Sequence, residues 1–162
     1  MNTSTNEKRD WRLSAGPWDS EPDRAEFEHA GLPCLLKRHR SAGSWCGYVH
    51  VPPHNPAIRD AYDEEGYAYW DFDVHGGVTF HGLMEMHGSE LFVIGFDLNH
   101  SHDGAPGDLR WETRLKGEYR TFRYAEAEVR SLAEQIAGYK PVEQLTNLFS
   151  GTLEADYGKE PR

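Results

Sequence analysis

Sulfur is scarce in this chain, with only two cysteines, Cys34 and Cys46, among 162 residues. Two thiols are too few for a disulfide scaffold or a four-thiolate zinc site. Both sit in apolar, strand-like runs, where a free thiol packs as a small hydrophobe. Positive charge is short as well: 17 Lys and Arg stand against 27 Asp and Glu, a formal net charge of -10. That balance argues against non-specific nucleic-acid binding, which needs a cationic surface, and suits a basic protein partner or a site that concentrates cations. No stretch approaches the roughly 20 apolar residues of a membrane span, and the first ten residues lack the apolar core of a signal peptide. No membrane partner and a cytoplasmic location are the resulting expectations. A glycine-rich phosphate loop, a His-Glu-x-x-His helix, zinc-finger spacing and internal repeats are all missing.

Aromatic residues are plentiful at 12%, whereas the hydrophobic total is only 38%, so the expected core is aromatic-rich. The length fits one domain that buries roughly two-thirds of its unfolded surface. Residues 1–22 are polar with Gly16-Pro17 and Glu21-Pro22 punctuation and read as a flexible lead-in, although Trp11, Leu13 and Trp18 are large enough to fold back. Residues 23–150 form the domain and 151–162 a tail. Within the domain, 23–29 reads as a short capped helix or turn. Residues 32–38 and 44–51 read as a strand hairpin with Trp45, Gly47, Val49 and Val51 on one face. A helical turn is expected over 57–63, a strand over 69–75, a turn or short strand over 83–89, and a central strand over 90–98. A long polar loop spans 99–118. In 119–139, Phe122, Ala125, Val129, Leu132, Ala133 and Ile136 recur at helical spacing, with Thr121 as cap and Gly138 as stop. A second short helix is expected over 141–149. Strands followed by a C-terminal helix give an α+β domain, a mainly antiparallel sheet packed by one long helix.

Chemistry-bearing residues concentrate between 71 and 108. The segment 69–81 alternates polar and apolar residues, placing Asp71, Asp73 and His75 on one face of a strand that ends at Gly76-Gly77, where backbone can approach a ligand. A second acidic and histidine-rich run, 95–103, holds Asp97, His100, His102 and Asp103. Imidazole and carboxylate together are the usual ligands of catalytic zinc or manganese. His75, Asp97 and His100 are the expected metal ligands, Asp103 and His102 the acid–base groups, and His81 a substitute ligand. Gly76, Gly77, Thr79, Tyr48 and His54 are the expected ligand-binding residues. A plainer role is open to the same residues, since Asp and His in loops cap backbone amides. Ser41 and Ser44 near His39 lack the elbow and orienting acid of a nucleophile, and Cys46 lacks an activating base. Glu126, Glu128 and Arg130 read as the solvated face of the long helix.

Several pieces in order carry a resemblance: Cys46-Gly47-Tyr48-Val49-His50-Val51-Pro52 with His54 and Pro56; Val74-His75-Gly76-Gly77-Val78-Thr79; Gly95-Phe96-Asp97 with His100 and Asp103; Tyr119-Arg120; Glu128-Val129; and Leu132-Ala133-Glu134-Gln135. Across residues 26–137 the chain resembles a small family of uncharacterised proteins met largely in bacteriophage and some bacterial genomes. His102 stands where that pattern has a small residue, and Asn55 interrupts its His-Pro pair. The resemblance implies a phage-type accessory protein in the host cytoplasm, with no reaction attached. Two functions follow as expectations. One is a small metal-dependent hydrolase for a phosphorylated or nucleotide-like substrate. The other is a non-catalytic anti-defence protein that sequesters a nucleotide signal or blocks a host protein.

Overall fold

Period-two alternation builds most of the domain, and the computed structural model shows it for Trp11 and residues 15–59, 71–107 and 117–140, the residues described. Five strands form one antiparallel sheet in the order β1-β2-β3-β5-β4: β1 Arg24–His29, β2 Leu32–Arg38, β3 Trp45–His50, β4 Phe80–Met86 and β5 Ser89–Asp97. A short helix α1, Pro56–Arg59, follows β3. Two short strands, β6 Asp103–Gly104 and β7 Glu118–Tyr119, pair in parallel ahead of the long helix α2, Phe122–Ala137. The chain is thus an α+β domain with a mainly antiparallel sheet and one long C-terminal helix.

Two expectations about strands are corrected. Residues 24–29 are the edge strand β1 and not a helix or turn. Ala25, Phe27 and His29 turn partly inward while Arg24, Glu26 and Glu28 stay exposed. Their hairpin to β2 turns through Ala30 and Gly31, whose φ values of 51° and 74° give the doubly positive turn that matches strand twist. Residues 71–74, expected to lie within a strand, take no regular structure, and His75-Gly76 form a turn closed by Gly77 N–H donating to Val74 O at 2.8 Å. The alternation there is real nonetheless: Phe72 and Val74 are buried, and Asp71 and Asp73 are exposed. The ladder is replaced by α2 side chains. Gln135 brackets Asp73, accepting from its N–H at 2.7 Å and donating to its carbonyl at 2.8 Å. Tyr67, Tyr69, Trp70, Asp108 and the expected helix over 141–149 lie outside the described residues.

Helix α2 covers one face of the sheet. Its stripe of Ala125, Val129, Leu132, Ala133 and Ile136 is buried against Leu36, Trp45, Val49, Ile94 and Phe96. Contact is close because Gly47 has no side chain: a Cβ there would lie 2.4 Å from Val129 Cγ2. Thr121 Oγ1 accepts from Tyr124 N–H, and Gly138 ends the helix, as its spacing predicts. On the opposite face a smaller core forms from Leu35, Cys46, Tyr48, Met86 and Val93. The β4–β5 hairpin curls across that face, bringing His87 of its turn within 3.4 Å of the Cys34 carbonyl in β2.

The lead-in is partly built into the domain. Trp11 and Trp18 are buried, and Glu21 accepts from Arg38, Trp45, Tyr119 and the Phe122 amide. The described part of 1–22 is therefore anchored by the N-terminus of α2.

Candidate functional site

Two segments far apart in sequence, one around 75 and one over 100–103, meet beside the first turns of α2. The turn at 74–77 presents His75, the chain after β5 presents His100, and β6 begins at Asp103. Asp103 is the centre, with its side chain only 1% exposed. Its Oδ2 accepts from His75 Nε2 at 2.8 Å, from the His100 amide at 3.0 Å and from His100 Nδ1 at 3.2 Å. Its Oδ1 accepts from Arg120 Nε at 3.0 Å. Burial alone would raise this carboxyl's pKa. The His100 amide, Arg120 and His75 outweigh it and hold Asp103 below the usual carboxylate value.

His75 is fixed from three sides. Its backbone N–H donates to Glu128 Oε2 at 2.7 Å. With Nε2–H directed at Asp103, its Nδ1 is left to accept the Tyr124 hydroxyl at 2.9 Å. Burial first, then the Glu128 charge, keeps the Tyr124 phenol above its ordinary value, so it remains a proton-bearing donor. The His75 and His100 rings lie 5.4 Å apart, and Tyr124 meets His75 edge-on at 5.6 Å. Arg120 stacks over Tyr124 at 5.0 Å and also donates to Glu118 at 2.9 Å. Gly76 belongs to this site by its lack of a side chain. A Cβ there would fall 2.1 Å from the His100 ring, and its φ of +69° suits glycine.

His75, His100 and Asp103 each offer a ligand atom, and these atoms lie within 4.8 Å of one another. Two imidazoles and a carboxylate could hold a divalent ion and leave a coordination position open. The 2.8 and 3.2 Å separations about Asp103 Oδ2 are those of hydrogen bonds. Neighbouring ligands on one tetrahedral ion stand about 3.3 Å apart. A bound ion would therefore take the place of these hydrogen bonds, each imidazole giving up the proton it directs at Asp103.

The structure divides the expected site residues between two places. Asp97, an expected ligand, is not in the cluster. It points to the sheet face away from α2, as strand parity with Val93 and Gly95 requires, and its Oδ1 caps the Asn99 amide at 3.0 Å. Tyr48 and Thr79 lie with it, lining a cleft of about 310 Å³. His102 is exposed, and its backbone carbonyl accepts from Glu118 N–H. His54 is exposed in the turn after β3. His81 is part-buried within β4, and Gly77 has open space around it. Asp103, expected to do acid–base work, supplies the atom on which the imidazoles converge. Sequence reading passed over Tyr124 and Arg120 as site residues and placed Glu128 on the solvated face. The four-residue steps from Arg120, just before α2, to Tyr124 and Glu128 within it are the signal that would have grouped them.

The fold and this site define an α+β domain carrying a His–His–Asp group at a helix start. No protein-family model, curated protein or solved structure matches the chain.

Proposed function

We propose that this chain binds a divalent metal, zinc or manganese, through His75, His100 and Asp103 and hydrolyses a phosphorylated, nucleotide-like substrate. The observation that carries this reading is the convergence of three ligand atoms from two segments, His75 from one and His100 and Asp103 from the other, within 4.8 Å. Zinc held by these residues would lower the pKa of a bound water to about 7 and so supply a nucleophile at neutral pH. Arg120 places a guanidinium, 20% exposed, beside the group, and guanidinium is the side chain best matched to phosphate oxygens. The test is titration of chelator-treated protein with zinc and manganese by calorimetry, followed by assays on nitrophenyl phosphate and nucleotides. The expected result is metal binding and metal-dependent turnover, both lost in His75→Ala. Protein that binds neither ion, and whose melting temperature ignores chelator, would sink the reading.

A non-catalytic role, as a phage-type anti-defence protein sequestering a nucleotide signal or blocking a host protein, is favoured by one observation. Asp103 accepts from four donors of the chain itself, so protein groups satisfy its lone pairs. Recovery of unchanged nucleotide after incubation separates this reading from hydrolysis. The phage resemblance supplies its setting, the host cytoplasm.

A further inference from the structure

The cleft that took Asp97, Tyr48 and Thr79 lies on the opposite face of the sheet from α2, where Cys46 and Tyr48 pair across to Asp97 and Gly95. Tyr48 lies across Gly95, where a Cβ would stand 2.5 Å from its ring. Phe80, opposite Gly95 on β4, meets Tyr48 edge-on at 5.6 Å and keeps 38% of its surface exposed. The same tyrosine ring already takes a cation, since Lys37 Nζ sits 5.3 Å from its centroid. At neutral pH the floor is uncharged. Burial holds the Cys46 thiol up at about 11 and lifts the Tyr48 phenol above its usual value. Asp97 contributes the one carboxylate of the lining, and among the described residues it has no cationic partner.

We propose that this cleft is a second binding site, for a small organic amine whose ammonium group pairs with Asp97 while its apolar body rests on Phe80 and Tyr48. A carboxylate beside exposed aromatic surface recognises both halves of such a ligand, by a charge-assisted hydrogen bond and by cation–π and apolar contact. The volume of about 310 Å³ matches the lower end of small-ligand sites. The net charge of -10 favours the encounter. The site is separate from the His–His–Asp group, whose His75 is held by Tyr124 and Glu128 of α2 on the other side of the sheet.

Phenethylamine is a suitable probe, with phenylacetate and benzyl alcohol as charge-reversed and neutral controls, titrated by calorimetry and amide NMR. Binding of the amine, with neither control binding at the same concentration, is the expected result. Asp97→Asn keeps the oxygen that caps Asn99 and therefore the local fold. It is expected to weaken the amine about tenfold or more, as loss of a charge-assisted bond requires. Phe80→Ala is expected to weaken it several-fold, and His75→Ala to leave it unchanged, which separates this site from the metal reading. The proposal is overturned by controls that bind as well as the amine, by unchanged affinity in Asp97→Asn, or by the absence of any response at millimolar amine.

Discussion

Two carboxylates organise the two ends of the β7–α2 junction, and they differ in what surrounds them. Glu21 accepts from Arg38 at 2.9 Å, the Trp45 indole at 3.3 Å, the Tyr119 hydroxyl at 2.6 Å and the Phe122 amide at 2.9 Å. Asp103 accepts from Arg120, the His100 amide and two imidazoles. Each is paired with an arginine, and neighbouring residues serve them: Tyr119 turns to Glu21 and Arg120 to Asp103, as strand alternation dictates. The donors to Glu21 keep their protons throughout the neutral range, because burial and the Glu21 carboxylate push even the Tyr119 phenol above its usual value. The donors to Asp103 include two rings that exchange protons and bind metals. The same hydrogen-bond count therefore gives a fixed structural clamp at one hub and a chemically versatile group at the other.

The comparison is tested most severely at Glu21. Glu21→Ala leaves Arg38, whose side chain is 3% exposed, with Asp23 at 3.5 Å as its one carboxylate partner among the described residues. Stranding a buried charge in this way costs about 3–5 kcal/mol. Urea denaturation is expected to show that loss, while metal binding of the folded fraction persists. If Glu21→Ala instead abolished metal binding at full stability, the division between clamp and site would fail.

Asp103→Asn is the matching change at the other hub. It is expected to cost about 2 kcal/mol, the value of hydrogen bonds to a charged group, and to remove metal binding altogether. Its pH dependence has a definite sign. A carboxyl held below its unfolded value of 3.8 stabilises the fold fully above that pH. The contribution fades as acid protonates the folded state. The wild-type advantage over Asp103→Asn is thus present above about 3.8 and shrinks below it. An advantage that persisted undiminished well below that pH would contradict the hydrogen-bond assignment.

The two hubs were unequally legible in the sequence. Hydrophobic periodicity alone marked β2, β3, β5 and α2, because each buries a full face or stripe. It missed β1, where three charged residues alternate with Ala25, Phe27 and His29, and only the partner strand makes that alternation count. The density of His and Asp between 71 and 108 pointed to His75, His100 and Asp103. It could not separate Asp97 from them, since ligand type says nothing about which side of a sheet a residue faces. Glu21 carried no signal: a lone glutamate before a proline gains its role only from Arg38, Trp45 and Tyr119, up to 98 positions away. Long-range pairing decides such residues, and local pattern does not encode it.

Gly76 and Gly77 sharpen the comparison without touching a polar group. Both have positive φ, +69° and +80°, so an alanine at either place pays the left-handed penalty of about 1–2 kcal/mol. Only at Gly76 does the new methyl meet the His100 ring; at Gly77 it meets nothing within 4 Å. Gly76→Ala is expected to weaken metal binding at least as a displaced ligand would, whereas Gly77→Ala loses similar stability and keeps its metal affinity. Equal affinities in the two variants would show that His100 is not a ligand.

The smallest expected effect is at Tyr124, and it separates support from ligation. Tyr124→Phe removes the hydroxyl that bonds His75 Nδ1 and keeps the ring that meets the imidazole edge-on. Stability should fall by about 1 kcal/mol or less, the value of a single part-exposed hydrogen bond. Metal affinity should fall further in proportion, by about 10–100-fold, because groups that orient a ligating histidine set its tautomer and direction. Calorimetric titration with zinc beside urea denaturation reads both quantities on one preparation. A variant that loses stability but holds the metal as tightly as wild type would assign Tyr124 to the clamp side of the comparison, with Glu21.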